Sequence, residues 1–208
     1  MAFIVDKAKH TYHLDGEKLD SVTDMMIGLG IIDPTYYTVS GRIRGSKVHL
    51  GCELLEKPGG LDWESLKPIE AALGEPIEPF VRGYERFLKE TGWVSTEIEK
   101  PGYSRQWKYA GTKDREGYFP GDKLKSILDI KTGKSVHVGT AIQTAAYDEM
   151  EKKEGDEPRR RYAIALPGNG DYDIKPWTDH NDGQTFLSSL PMYRWRKKNG
   201  LIRRIVDS

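Results

Sequence analysis

The sequence predicts an α/β fold, a central mixed β-sheet flanked by helices, in one domain spanning residues 1–208. Three observations predict it. Strand-like runs crowd the middle of the chain, in "WVSTEIE", "RQWKYAGTKDREGYF" and "LKSILDIK". Stretches with helical apolar spacing lie on both sides of that block. The resulting order of helices, hairpin, helix, hairpin, helix interleaves the two types, as layers around one core require.

Each element has a local cause. "HTYHLDGEKLDSVT" reads as two short strands turning at Asp15-Gly16, an Asp-Gly hairpin signal. Ser21 with Asp24 three residues on forms an N-cap, so a helix starts there. "RGSKVHLGCELLEK" carries an imperfect helical stripe, and "EPFVRGYERFLKETG" a better one that stops at Gly92. The prolines and glycines of "EKPGGLDWESLKPIEAALGEP" make a connecting loop with short helical pieces. A helix follows the strands in "VGTAIQTAAYDEMEKKEG", ending at Gly155. "RRRYAIAL" and "YDIKPW" then form a second hairpin around "PGNGD". "GQTFLSSLPMYRWRKK" gives a final helix interrupted by Pro191.

Bulk properties narrow the function classes. Hydrophobic residues make up 37% and charged residues 31% of 208, a globular rather than disordered composition. No apolar run approaches the roughly 20 residues of a membrane helix, and "MAFIVDKAKH" is too short and too soon charged for a signal peptide. The single Cys52 excludes an internal disulfide framework and a four-cysteine cluster, so a cytoplasmic compartment is expected. The 32 basic and 32 acidic residues cancel, which argues against coating nucleic acid by charge alone. Basic residues still cluster at Arg159 to Arg161 and at Arg194, Arg196, Lys197 and Lys198. The second cluster could guide a nucleic-acid backbone or form a solvated face.

The hairpin "YAGTKDREGYF"–"PGDK"–"LKSILDIKTG" raises the first chemical question. With its turn at Gly121-Asp122, opposed residues have numbers summing to about 243, so Asp114 faces Asp129 and Thr112 faces Lys131. Opposed carboxylates destabilise a sheet unless a cation sits between them, and a divalent metal is the simplest remedy. A register slip of one residue would instead turn Asp114 to the other face. Lys131 shares its face with Asp129, since side chains two apart on a strand do. On the following helix Gln143 and Tyr147 lie one turn apart, as nucleic-acid contacts or as a buried hydrogen-bonded pair.

Four pieces occur in a familiar order: "RGSKVH", "GTKDREG", "ILDIKTG" and "QTAAY". Together they resemble the PD-(D/E)XK nuclease superfamily and, more closely, its phage-type, RecB-like exonuclease branch. The resemblance spans nearly the whole chain and implies a restriction-endonuclease-like core. It implies a metal-dependent DNA exonuclease of phage recombination, replication or repair, using Mg2+ or Mn2+. Asp114, Asp129 and Lys131 would be catalytic. His49, Asp114, Asp129 and the carbonyl of Ile130 would bind the ion. Arg44, Gln143 and Tyr147 would line the DNA path. Linear DNA is the implied partner, with a recombinase or single-strand-binding protein beside it. Glu53, Glu97 and Glu99 compete for the supporting glutamate that many members carry. The alternatives are a structure-specific endonuclease on the same fold, or a non-catalytic nucleic-acid-binding protein.

Other motifs fall away. "KTG" lacks the Ser-x-x-Lys element of penicillin-binding enzymes, and "PGNGDYD" lacks phosphate-loop spacing. A second Asp-Ile-Lys, at residues 173–175, precedes Pro176 and so reads as a sheet edge, with Asp173 paired to an arginine of "RRRYAIAL".

Overall fold

A computed structural model of the chain describes residues 2–6, 10–36, 38–152 and 156–202. Among the described residues eight strands form one mixed sheet, with six α-helices on its faces. In chain order these are β1 (Phe3–Asp6), β2 (Thr11–Leu14), β3 (Glu17–Ser21), α1 (Val22–Leu29), α2 (Val39–Glu56), α3 (Lys67–Leu73) and α4 (Glu78–Thr91). Then come β4 (Val94–Ser104), β5 (Tyr109–Tyr118), β6 (Ser126–Thr132), α5 (Gly139–Glu151), β7 (Arg160–Leu166), β8 (Asp173–Trp177) and α6 (Asp182–Lys198).

Local signals place most of these. Ser21 caps α1, its hydroxyl accepting the Asp24 N–H at 3.0 Å. α4 ends at Gly92, which takes the left-handed φ of 66° that glycine adopts without a Cβ penalty. Three expectations shift. β1 pairs antiparallel with β2, a strand the early charges of the N-terminal segment had hidden. β5 begins only at Tyr109, because Arg105 to Lys108 form the turn after a long β4. α6 runs through Pro191 unbroken: Phe186 and Leu190 before it and Tyr193 after it are all buried in one cluster, which holds both halves on the core. Gly155, the expected end of α5, lies outside the described residues, and α5 is assigned to Glu151.

The core lies on both sheet faces. On one, Val48 and Cys52 of α2 and Val81, Tyr84 and Phe87 of α4 pack on Leu128, Ile130, Ile164 and Leu166. On the other, residues of α1, α5 and α6 pack on Tyr109 and Ile127. Close approach at Gly111 makes that second face possible, since a Cβ there would lie 2.7 Å from the Tyr147 ring.

The topology creates a fork. β4 runs along one edge of β5, from Tyr118 to Tyr109. The other edge is shared: β3 pairs in parallel with Tyr109 and Ala110, while β6 pairs antiparallel with Arg115, Glu116 and Gly117. Between those two partners, Gly111 to Asp114 have no strand neighbour on that edge among the described residues. The β5–β6 pairs Arg115↔Leu128, Glu116↔Ile127 and Gly117↔Ser126 follow the register read from the sequence.

β8 is an edge strand, with Pro176 opposite Tyr162. Asp173 faces Ala165 rather than an arginine, so the expected ion pair is absent, and Lys175 lies over the Trp177 ring. The basic C-terminal cluster lies at the surface but is largely held by contacts within the chain. Arg194 donates to the Trp107 carbonyl, Arg196 to those of Leu29 and Leu201, and Lys197 pairs with Asp20. No helix among the described residues is long and apolar enough to cross a membrane.

Candidate active site

The fork collects the acidic residues. Beyond Arg115↔Leu128 the β5–β6 ladder stops, and the Ile130 N–H donates instead to Asp114 Oδ2 at 2.7 Å. A carboxylate that replaces a ladder acceptor is fixed to the strand it faces, which holds Asp114 beside β6. Asp129, on β6, is almost wholly buried, and its Oδ2 lies 2.7 Å from Lys131 Nζ. That contact is an ion pair without hydrogen-bond geometry, and Oδ2 has no hydrogen bond among the described residues.

β4 adds a third acid by breaking its own alternation. Gly102 and Glu97 both meet the α5 side, at Glu151 and at Lys113, although five residues apart they should face opposite ways. The change of phase falls at Glu99, whose φ of +46° is left-handed. β5 changes phase alongside it: Lys113 reaches Glu151 of α5 and bonds Glu116, while Arg115 between them turns to Glu56 of α2. Glu99 is thereby sent toward α2, where its Oε1 lies 3.2 Å from His49 Nδ1.

His49 closes the group from α2. Its Nε2 lies 3.1 Å from the Ile130 carbonyl and its Nδ1 3.7 Å from Asp114 Oδ1. With acceptors at both nitrogens, the ring fits as a doubly protonated imidazolium. Burial opposes that charge, but Asp114 and Glu99 outweigh it and raise the His49 pKa to about 9. Burial also pushes the Asp114 carboxyl up, reinforced by the negative charges of Asp129 and Glu99 and opposed by His49 and Lys131. Glu99 moves down: its own burial is outweighed by His49 and Arg115.

His49, Glu99 and Asp114 each offer a ligand atom within 4.8 Å of the others. This donor set fits a divalent cation. A positive charge between them would relieve the crowding that raises Asp114, and the buried Asp129 Oδ2 is a further oxygen without a hydrogen bond.

No protein-family model and no curated protein sequence matches the chain. Solved structures similar to it include two exonucleases. A putative exonuclease from Eubacterium rectale is 17% identical with a TM-score of 0.49, covering 80% of this chain and 70% of that one. An alkaline exonuclease from Laribacter hongkongensis is 15% identical with a TM-score of 0.29, covering 59% of this chain and 71% of its own. At such distances chemistry has to be read from this chain's own side chains.

The remaining expected residues are placed differently from one another. Gln143 and Tyr147 are both buried, on the α5 face behind Lys131. The Lys131 ammonium donates to Gln143 Oε1 at 3.0 Å, and Gln143 Nε2 donates to the Tyr147 hydroxyl at 3.0 Å. They form the buried, hydrogen-bonded pair that the sequence left open. Arg44 is half-buried, paired with Glu75 at 3.0 Å and 5.4 Å from the Phe80 ring centre. Of the three competing glutamates, only Glu99 joins His49 and Asp114. Glu97 lies with Glu116 and Glu151, where Lys113 pairs with all three and Lys100, Lys125 and Arg159 add further positive charge, and Glu53 pairs with Lys57. Sequence reading missed Arg115 altogether, a fully buried guanidinium bonded to Glu56 and Glu99. An arginine in a charged hairpin carries no signal of burial.

Proposed function

We propose that the chain is a metal-dependent DNA exonuclease of the PD-(D/E)XK superfamily, in its RecB-like branch, serving phage recombination, replication or repair. One observation supports this above the rest. Ligand atoms from α2, β4 and β5 converge at the fork, with Asp129 and Lys131 of β6 beside them. A purely structural hairpin gives no reason to crowd three carboxylates, since each adds repulsion and a desolvation cost.

In this reading His49, Glu99, Asp114, Asp129 and the Ile130 carbonyl hold the ion. Their mostly hard oxygen donors suit Mg2+, and the ring nitrogen admits Mn2+. When bound, the ion supplies Lewis-acid polarisation of the phosphodiester and a more acidic water. His49 serves as a ligand only after losing a ring proton, which the carboxylates otherwise keep in place. Lys131 Nζ places a positive charge against the negative charge that develops on the phosphoryl oxygens. Asp129 and Gln143 orient that ammonium from two sides, and Tyr147 orients Gln143. Gln143 and Tyr147 thus serve the site from behind, and Arg44 is the candidate contact to the DNA backbone.

The test incubates linear and covalently closed circular DNA with the protein in Mg2+, in Mn2+ and in chelator. Loss of linear DNA alone, dependent on metal, is the expected result. Nicked circles would establish the endonuclease alternative, and intact DNA in every condition would leave a binding protein.

A further inference from the structure

Arg115 has the largest of the fully buried side chains, at 0% exposure. Its Nε donates to Glu56 Oε1 at 2.5 Å. Its Nη1 donates both to Glu99 Oε1 at 3.1 Å and to the Asp114 carbonyl at 2.6 Å. These three acceptors belong to α2, β4 and β5, the elements that carry His49, Glu99 and Asp114. We infer that Arg115 is a positioning residue for the ion-binding centre, fixing Glu99 and, through it, the ring of His49. The inference rests on the nuclease reading above.

Two features go beyond an ordinary buried ion pair. The first is a shared atom. Glu99 Oε1 accepts from Arg115 and also lies 3.2 Å from His49 Nδ1, so the guanidinium sets the point against which the ring is held. Glu99 needs such a hold, because its left-handed backbone persists only where surroundings over-determine it. The second is the roll of α2. Glu56 and His49 are seven residues apart, two turns along one helix face. Anchoring Glu56 to Arg115, with the Tyr84 hydroxyl donating to the same Glu56 oxygen at 2.8 Å, fixes the rotation that points His49 at the fork. A lysine at position 115 would keep the charge but lacks the planar fork that reaches several acceptors together. Charge and geometry can therefore be separated.

The experiment measures Mn2+ binding to the full chain by electron paramagnetic resonance of the free ion, without DNA. Melting in chelator reports the fold independently. Arg115→Lys and Glu56→Gln are expected to weaken Mn2+ binding at least about 10-fold, the scale of outer-shell effects on metal affinity, while remaining folded. Excess Mn2+ should restore cleavage to Arg115→Lys. The comparison variant is Arg161→Lys, a buried arginine that bonds the Ala141 and Asp179 carbonyls and the Asp182 carboxylate and touches no member of the donor set. It should lose stability and keep parental Mn2+ affinity. Folded Arg115→Lys and Glu56→Gln that bind Mn2+ like the parent would overturn the inference and leave the nuclease reading standing. Should Arg115→Lys fail to fold, Glu56→Gln decides alone. A parent that binds no Mn2+ overturns both.

Discussion

Replacing Asp114 by asparagine separates the metal role of this residue from its structural role. The carboxylate has two duties: Oδ2 accepts the Ile130 N–H at 2.7 Å, and Oδ1 lies 3.7 Å from His49 Nδ1 among the would-be ligands. An asparagine oxygen can keep the first contact, so the fork should survive Asp114→Asn. It cannot replace the charge. In the parent, Mn2+ at about 100 times its dissociation constant contributes about 2.7 kcal/mol by mass action. A chain of this size gains about 2–4 °C per kcal/mol, so the melting temperature should rise by about 5–10 °C. Asp114→Asn should lose most of that rise. In chelator it should melt no lower than the parent, because burial and two neighbouring carboxylates already disfavour the charged form of Asp114. The assay is thermal unfolding by circular dichroism across a Mn2+ series. An unchanged parental melting point in saturating Mn2+, or a full shift retained by the variant, would refute the assignment of this ligand.

Two further outcomes follow from other residues. Lys131→Ala should lower the rate on linear DNA by at least about two orders of magnitude, as for a lost transition-state contact, with metal and DNA binding kept; Lys175→Ala, exposed on the edge strand over Trp177, should change the rate little. A side-by-side assay in which Lys175→Ala were the inactive variant would move the site elsewhere. Glu116 is buried, which by itself raises its pKa, but Lys113, Lys125 and Arg159 outweigh that and lower it from 4.5 to about 2. A depressed folded-state pKa gives stability that is present above the unfolded value and lost as pH falls through the folded one. Stability should therefore drop between pH 4.5 and 2, and Glu116→Gln should flatten that part of the profile in urea titrations at stepped pH.

The legible parts of this chain were those fixed by local chemistry or by counting. The Asp15-Gly16 turn and the Ser21 cap need only neighbours in sequence, and both are present. Counting from Gly121-Asp122 gave the β5–β6 register because the turn lies close to the pairs it sets. Alternation then failed where β4 and β5 change phase together. Strict period two puts Glu97 and Glu99 on one face, so no sequence argument could choose between them; the left-handed Glu99 sends them to opposite sides. Nor could periodicity show that β3 and β6 share one edge of β5, since that depends on a crossover through four helices. Gln143 and Tyr147 were recognisable as a pair, but whether the pair faces solvent or Lys131 is settled by how closely α5 packs on Gly111.

The fork also bears on when the donor set can first exist during folding. Its members lie at positions 49, 99, 114 and 130; the β4–β5 and β5–β6 hairpins gather the last three, while His49 comes from at least 50 residues away. His49 arrives only when α2 has docked on the sheet, and Asp114 is aligned only once β5 and β6 have zipped to Arg115↔Leu128. Contacts of such long sequence separation are slow to form, because each closes a large loop before it returns any stabilisation. A partly folded chain holding only the β5–β6 hairpin would carry two crowded carboxylates and no imidazole. Assembly of the complete set is thus a late event, and a nascent or damaged molecule lacks a competent centre until nearly all of its tertiary structure is in place.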